Sequence, residues 1–209
     1  GHARMNYHFD WMPIWSARGL ILEGLLMTVA VSVVSLALST IIGLVIGGAA
    51  TSNSRAMRGA ALIFTETMRN IPLLIHMYAW YMALAFLRLP AFSCAVLGLS
   101  LYSGAYVAEV VRAGIGAVGR GQMQAALATG LTPFQSMRYV VYPQALRIIA
   151  PSLASLFSQL IKDSSLASVI AVAELTYEAG AIDSQTFRTF EVYITISLIY
   201  LVLVTAASQ

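Results

Sequence analysis

Hydrophobic residues run in long uncharged stretches along this chain, and the polar positions gather between them. The first stretch carries no charge from Gly24 to Ser54 and predicts a helix over Leu25–Ala50. A helix needs about 20 apolar residues to cross the ~30 Å hydrocarbon core of a bilayer. Further spans are predicted over Gly59–Leu87, Leu89–Ala108, Pro151–Ala173 and Val192–Ala207. The pattern therefore predicts an all-α integral membrane protein with about five transmembrane helices.

Composition agrees with this prediction. Hydrophobic residues make up 59% of the 209 positions and charged residues 10%, whereas soluble domains carry about 25% charged residues. The net charge of +3 is scattered, which is not the clustered basic face of a nucleic-acid-binding protein. A single cysteine, Cys94, excludes an intrachain disulfide and any multi-cysteine metal site. We expect Cys94 to pack as a small apolar group and expect no metal site.

The charges between the spans predict the orientation of the chain. The segments Thr51–Arg58 and Arg112–Arg147 contain arginines and, between their ends, no acid, whereas Glu174–Glu191 contains four acids and one arginine. Arginine-rich short loops stay in the cytoplasm. We therefore expect the N-terminus outside and the C-terminus inside.

The ends of the sequence are interpreted separately from the fold. Residues Gly1–Arg4 look like a tag remnant. Residues 1–19 are then this remnant with an extracytoplasmic N-terminal segment, and residues 20–209 form a single transmembrane domain. Within the first span, Gly43 and Gly47 suit close helix packing, either inside the subunit or between two subunits; the sequence leaves both open.

The segment 120–145, between the third and fourth spans, predicts two short helices with a turn. An alanine-rich helix over Gln122–Thr129 is followed by Gly130, which suits a left-handed C-terminal position. Thr132 to Gln135 reads as a capping box with Pro133 at the first helical position. An apolar stripe follows, and Pro143 is expected to end the second helix. The alternative is an amphipathic helix lying on the bilayer, but the glycine turn and the scarcity of basic residues favour a rigid cytoplasmic hairpin that fits the cleft of a partner.

Four stretches of the sequence resemble a known family. They are ETMRNIPLL (66–74), GAYVAEVVRAGI (104–115), QMQAALATG (122–130) with Tyr142-Pro143, and KDSSL (162–166). Together they are similar, in order, to the membrane permeases of bacterial ATP-binding-cassette (ABC) importers for polar amino acids, and the third is similar to their EAA coupling loop. The chain departs from that pattern at Gln124, where glutamate is usual, and at Tyr142, where leucine is usual. It also ends without the usual basic tail, so we expect a C-terminal truncation.

The resemblance implies the partners and the location. It implies a second permease subunit, identical or homologous, a pair of P-loop ATPase subunits and an extracytoplasmic solute-binding protein, in the bacterial inner membrane. ATP and Mg would be bound by the ATPase, with no cofactor in this chain and no enzymatic activity of its own. The sequence agrees, because it contains no G-x-x-x-x-G-K-[ST] motif. The residues that the resemblance assigns to ATPase coupling are Gln124, Ala125, Ala126, Gly130, Thr132 and Pro143.

Charged side chains inside the predicted spans are the candidates for substrate contact. Burying an ionisable group in a membrane costs free energy, so such a group is first interpreted as functional. Lys162 and Asp163 lie near the middle of the fourth span, where adjacent helical residues point about 100° apart and are expected to bracket a polar cavity. An amino acid needs an acid for its ammonium and a cation or an amide for its carboxylate. The candidate substrate-binding residues are Glu66, Arg69, His76, Lys162, Asp163, Ser164 and Ser165.

Each charged cluster also has a structural interpretation as an ion pair that joins helices. For Glu109 and Arg112, three residues apart near the cytoplasmic end of the third span, the structural interpretation is favoured. For Glu66 and Arg69, beside Pro72, neither interpretation is preferred. For Lys162 and Asp163 a transport path is favoured. We hypothesise that the second and fourth spans face each other across this path, with Asp163 or Glu66 taking the ammonium.

The function predicted is the transmembrane subunit of an ABC importer that forms the path of a polar amino acid. The alternative is a stand-alone ion-coupled carrier of small zwitterionic solutes, which would also carry intramembrane charges. The cytoplasmic hairpin favours the importer, because a carrier acting alone has no use for it. An odd number of spans without an internal repeat also disfavours a carrier built from inverted repeats.

Overall fold

A computed structural model describes residues 7–208; the predicted tag remnant lies outside these residues. The described chain is folded into helices, joined by short turns. Their bounds are α1 Met12–Ser16, α2 Arg18–Ala50, α3 Arg55–Asn70, α4 Leu73–Ala83, α5 Ala91–Ala117, α6 Arg120–Ala128, α7 Pro133–Ser136, α8 Tyr142–Asp163, α9 Leu175–Thr186 and α10 Thr189–Ala207, with 3-10 turns at Ala85–Leu87 and Ser164–Ile170 and a π turn at Met137–Val141. The all-α prediction is confirmed.

Four helical segments of the described chain are long and apolar enough to cross a membrane. They are α2, α5, α10 and the continuous helical run Pro133–Ile170 that contains α7 and α8. These four correspond to the first, third, fifth and fourth predicted spans. The long buried face of α5 packs against both α2 and α8, so α5 is the central helix of the bundle.

The second predicted span is broken into two helices, α3 and α4, at Ile71 and Pro72. Proline has no backbone N–H, and it forces the residue before it into an extended conformation. Ile71 is extended, with φ −97° and ψ 127°, and Pro72 is the N-cap of α4. The predicted span Gly59–Leu87 is therefore not a single helix. The proline divides it into two shorter helices.

The glycines of α2 pack inside the subunit. A Cβ atom added to Gly43 would lie 2.2 Å from Cγ1 of Val107, and one added to Gly47 would lie 2.7 Å from the carbonyl oxygen of Ala108. Both contacts are with α5. The α2 and α5 backbones approach this closely only because these two positions lack a side chain. Of the two alternatives for Gly43 and Gly47, packing within the subunit is the one observed.

The main core joins α4, α5 and the end of α8 to α2. Met77 and Leu99 are completely buried there, and Cys94 is 1% exposed. Cys94 packs as the small apolar group that was predicted. The core fixes the start of α4 against α5 and α8, which is where the candidate site lies.

The fourth predicted span begins earlier than expected, and this moves its charges. Pro143 does not end the preceding helix. It lies in the first turn of α8, directly after the π turn. A π turn shifts backbone hydrogen bonding from i−4 to i−5, which relieves the missing N–H of the proline and lets the helical run continue. As a result, Lys162 and Asp163 are the last residues of α8, where it becomes a 3-10 turn, and not the middle of a span.

Candidate functional site

A cavity of about 240 Å³ lies between α5, α8 and the first residue of α4. Asp163 lines it from the end of α8. The Gln159 side chain, one turn earlier, donates a hydrogen bond from Nε2 to Oδ1 of Asp163 over 2.8 Å. The lining residues are Leu73, Tyr102, Ser103, Tyr106, Leu156, Gln159, Leu160 and Asp163. We call this space the Asp163 cavity.

Two tyrosines of α5 form one wall of the Asp163 cavity. The hydroxyl groups of Tyr102 and Tyr106 lie 3.3 Å apart, and their rings are tilted at 54°. The guanidinium carbon of Arg69 lies 5.3 Å from the centre of the Tyr106 ring. This cation–π contact holds a positive charge beside the wall of the cavity. The cavity therefore combines a carboxylate, aromatic hydroxyls and a neighbouring cation.

Glu66 lies on the surface of α3. Its side chain is 64% exposed, and Arg69, three residues later, lies 3.9 Å away. The Asn70 side chain donates to Oε2 of Glu66 over 3.2 Å. The structure therefore brings Asp163 to the cavity wall and Arg69 next to it, while Glu66 pairs with its own helix.

His76 joins the two halves of the broken helix. Its ring is buried, and Nε2 donates to the backbone carbonyl of Met68 over 3.0 Å. Met68 belongs to the last turn of α3, where carbonyls have no partner within the helix. The His76 ring also contacts the edge of Tyr102 at 5.7 Å between centroids. This candidate residue thus supports the cavity wall from behind while it satisfies the end of α3.

Lys162 and Ser165 line a different cavity from Asp163. This second cavity, about 430 Å³, lies where the end of α8 meets α9 and α10, and it opens to the surface of the protein. We call it the Lys162 cavity; its other lining residues are Thr176, Tyr193, Ile196, Ser197 and Tyr200. The expected divergence of the two adjacent charges is observed. They face two cavities rather than bracketing one.

Ser164 packs α8 against α2. It is completely buried, donates to the carbonyl of Ile161 over 2.7 Å and accepts from Oγ of Ser32 over 3.3 Å. The three consecutive polar residues 163–165 thus point in three directions, toward one cavity, a helix interface and a second cavity.

Glu109 and Arg112 form a close ion pair on α5. Nε of Arg112 donates to Oε2 of Glu109 over 3.0 Å, and a second guanidinium nitrogen donates to Oε1. Both side chains are partly exposed. This two-point contact within one helix is the structural pair that the spacing predicts.

The buried carboxylate of Glu174, which the sequence predicts only as one of the acids on the extracytoplasmic side, caps α9. Glu174 is completely buried and accepts hydrogen bonds from the backbone N–H groups of Thr176 and Tyr177 and from the hydroxyl of Tyr200. Thr28 of α2 adds a long contact at 3.5 Å. Burial raises the pKa of Glu174, and these donors oppose that rise. A glutamate preceding a helix is a weak sequence signal for a cap.

The predicted cytoplasmic hairpin is built as two helices with a glycine turn. Gly130 has φ +89°. The backbone N–H of Leu131 donates to the carbonyl of Ala126, and that of Gly130 to Leu127, which is the Schellman pattern. The capping box of Thr132 and Gln135 is present, with Pro133 in the first turn. The Gln144 side chain donates to Gln122 over 3.3 Å and ties α8 to α6.

The outer face of this hairpin presents most of the predicted coupling residues. Gln124, Ala125, Gly130, Thr132 and Pro143 are exposed, whereas Ala126 is buried against the rest of the hairpin. Phe134 begins the predicted apolar stripe but is 76% exposed, and Val141 at its end is buried. An exposed aromatic side chain on a rigid turn is typical of a docking contact.

Within residues 7–208 no group of three or more histidine, cysteine, aspartate or glutamate side chains is arranged to hold a metal ion.

Comparison with known proteins identifies related chains over almost the whole length. The family model for binding-protein-dependent transport system inner membrane components matches residues 39–208. The glutamine transport system permease protein GlnP of Escherichia coli is 39% identical over 199 residues, which cover 93% of this chain and 91% of the relative. The probable glutamine ABC transporter permease protein GlnM of Bacillus subtilis is 37% identical, with 88% and 86% covered.

A solved structure agrees with these sequence relatives. The crystal structure of an amino acid ABC transporter with histidines contains a chain that superposes with a TM-score of 0.88 at 36% identity. The match covers 97% of this chain and 95% of the other.

Proposed function

The chain belongs to the family of binding-protein-dependent transport system inner membrane components, and on that premise we propose that the Asp163 cavity receives a polar amino acid on its way across the membrane. The protein is a permease subunit of an ABC importer in the bacterial inner membrane. A stand-alone carrier is not favoured, because the relatives that match along the chain are importer permeases.

The observation that carries the proposal is the Asp163 carboxylate in the wall of a cavity that also presents the hydroxyl groups of Tyr102, Ser103 and Tyr106. Gln159 fixes its orientation with a hydrogen bond of 2.8 Å. A carboxylate held in this way is suited to the ammonium group that all amino acids share. We propose that Asp163, rather than the exposed Glu66, takes that ammonium, and that Arg69 beside Tyr106 attracts the carboxylate.

The relatives supply the class of solute. The names of GlnP and GlnM both specify glutamine. The side chain of glutamine is neutral, and its amide group both donates and accepts hydrogen bonds. Tyr102, Ser103 and Tyr106 offer hydroxyl groups that can donate to and accept from such an amide. We propose a polar amino acid, with glutamine as the first candidate.

Lys162, Ser164, Ser165 and His76 have different roles in this proposal. Lys162 and Ser165 would contact the solute outside the Asp163 cavity, because they line the Lys162 cavity on the other side of α8. Ser164 and His76 keep the helices in place.

The hairpin is proposed as the site that receives mechanical work from a P-loop ATPase pair. Its exposed residues Gln124, Ala125, Gly130, Thr132 and Pro143 would contact that ATPase, and buried Ala126 would keep the turn rigid. A second permease, identical or homologous, and an extracytoplasmic solute-binding protein complete the importer. In this arrangement the hairpin is cytoplasmic, with the N-terminus outside and the C-terminus inside.

Uptake in proteoliposomes tests the proposal. The importer, assembled with its ATPase and solute-binding protein, is supplied with ATP and labelled glutamine. Asp163→Asn should lower uptake about tenfold to a hundredfold, since a hydrogen bond to a charged group is worth about 1.5–3 kcal/mol. Asp183→Asn, on α9 and outside the Asp163 cavity, is the matched control and should keep normal uptake.

Assembly is measured on the same samples by co-elution of the permease and ATPase. Loss of uptake with normal co-elution supports the proposed role of Asp163. Normal uptake by Asp163→Asn would contradict it, and equal losses in both variants would assign the effect to folding rather than to the solute.

A further inference from the structure

An apolar groove runs along the outside of the chain between α2 and α10. It consists of two adjoining cavities of about 760 Å³ and 540 Å³. Leu25 of α2 and Thr195 of α10 line both, so the two cavities form one continuous surface. The first also includes Trp11, Ile14, Trp15, Arg18, Gly19, Ile21 and Leu22, and the second Leu198, Ile199, Val202, Leu203 and Ala206. We call this surface the α2–α10 groove.

One end of the α2–α10 groove has the chemistry of a membrane–water interface. Trp11 and Trp15 are 48% and 67% exposed there, and tryptophan concentrates at the level of the lipid headgroups. The Arg18 guanidinium lies 5.2 Å from the Trp15 ring centre and donates to the Trp15 carbonyl over 2.9 Å. Among residues 7–208, no carboxylate lies within 4 Å of Arg18.

The rest of the groove has the chemistry and length of a lipid chain. Its remaining lining is apolar apart from Thr195, whose hydroxyl donates to the carbonyl of Glu191. At 1.5 Å per residue, Arg18 to Leu25 and Thr195 to Ala206 together extend over about 27 Å. This exceeds the ~15 Å depth of one leaflet of hydrocarbon, so an extended acyl chain fits along it.

A second copy of this chain fits the groove less well. In a twofold dimer the same surface of each subunit meets its equivalent, and in a membrane both copies lie at the same depth. The two Arg18 side chains would then lie at the same depth, at one end of a contact whose lining contains no acid. A phosphate group, by contrast, matches the guanidinium in charge and geometry.

We propose that the α2–α10 groove binds a phospholipid, with its phosphate at Arg18 between Trp11 and Trp15 and one acyl chain along the groove. The site is separate from the proposed solute path. It would hold one phospholipid on the lipid-facing surface of the importer.

The test uses the assembled importer reconstituted in vesicles of phosphatidylethanolamine mixed with phosphatidylglycerol. The complex is extracted in mild detergent, and the phospholipid that remains bound is counted by native mass spectrometry. Arg18→Gln should lower its occupancy about fivefold, the contribution of one basic side chain near anionic lipid. Gly19→Leu should abolish binding, because an added Cβ meets nothing within 4 Å and the side chain can occupy the groove without a clash.

Matched controls lie on α3. Gly59→Leu also adds its side chain in open space, and Arg55→Gln removes an exposed arginine. Both should retain the lipid. Unchanged lipid in Arg18→Gln and Gly19→Leu would overturn the proposal. Loss of the permease dimer in Gly19→Leu would also overturn it, because the groove would then receive a second copy of the chain.

A second readout uses tryptophan fluorescence of the permease purified without its partners, in a Trp80→Phe background that leaves Trp11 and Trp15 as its only tryptophans. Brominated phosphatidylglycerol should quench this emission, and Gly19→Leu should weaken the quenching. Quenching by aqueous iodide instead would mean that the groove end faces water, which contradicts the proposal.

Discussion

At the scale of single residues, Gly130 is the position where backbone conformation and the proposed function meet. Its φ of +89° is one that an L-residue adopts only at a cost. An added Cβ would meet nothing within 4 Å, so the effect of a substitution comes from the backbone alone. Left-handed conformation costs a residue with a side chain roughly 1–2 kcal/mol. The two hairpin helices would then lose their fixed angle.

We therefore expect Gly130→Ala to lower transport-coupled ATP hydrolysis severalfold, while Gly130→Asn has a smaller effect because asparagine tolerates this conformation. Coupled hydrolysis and uptake are measured together in proteoliposomes. Gly121→Ala is the control, since that glycine also has open space around it and is not among the described residues with positive φ. Equal activity in Gly130→Ala and Gly121→Ala would mean that the turn does not transmit the movement.

Some residue-level features are predictable because they depend on neighbours in sequence. The capping box of Thr132 and the pair of Glu109 and Arg112 each join residues three positions apart, and local spacing determines such contacts. The direction of Asp163 and Ser164 depends instead on the change from α-helix to 3-10 turn, which alters the angle per residue. Tyr102 and Gln159 meet only through packing of α5 against α8, and sequence spacing within either helix contains no sign of it.

At the scale of elements, the contact between α2 and α5 depends on glycine. A Cβ at position 43 would lie 2.2 Å from Cγ1 of Val107 and 2.4 Å from its Cβ, and Val107 is 1% exposed. Since neither helix can move without disturbing the core, we expect Gly43→Ala to destabilise the protein by about 1–3 kcal/mol. The measurement is the thermal unfolding temperature in detergent.

Gly48→Ala is the matched control on the same helix, because its added Cβ would lie no closer than 3.7 Å to its nearest neighbour, the Tyr142 hydroxyl. Its unfolding temperature should stay near that of the unsubstituted protein. If Gly43→Ala instead kept its unfolding temperature and separated a permease dimer, the glycine would have to lie at a subunit interface.

Two prolines illustrate why helix bounds were only partly predictable. Pro72 breaks the second predicted span, with extended Ile71 before it. Pro143 lies inside a continuous helical run, because the π turn just before it accommodates the ring. Both prolines have the same covalent restriction. Whether the helix continues depends on the backbone before the proline, which is extended at Ile71 and forms a π turn at Met137–Val141.

At the scale of the whole molecule, the broken helix places the Asp163 cavity, and the orientation of the bundle places the hairpin relative to it. Pro72 brings the start of α4 to the Asp163 cavity, and α5 extends from that cavity toward the hairpin. The hairpin carries arginines and no acid, whereas the stretch Glu174–Glu191, which contains α9, carries four acids and one arginine. The Asp163 cavity and the hairpin are joined by α5 and α8, so under the proposed function, with the arginine-rich side cytoplasmic, movement of the hairpin would reach the cavity through these two helices.

Single-cysteine labelling tests this orientation. Cys94 is buried and is replaced by alanine to give a cysteine-free background. Phe187→Cys then reports on the α9–α10 turn, where the native side chain is 83% exposed, and Gly121→Cys reports on the hairpin. In right-side-out spheroplasts, a membrane-impermeant maleimide should label Phe187→Cys and leave Gly121→Cys unlabelled. In inverted vesicles the order should reverse, because the arginine-rich hairpin then faces the reagent. Labelling of the hairpin in intact spheroplasts would invert the whole bundle and would separate the hairpin from any ATPase in the cytoplasm.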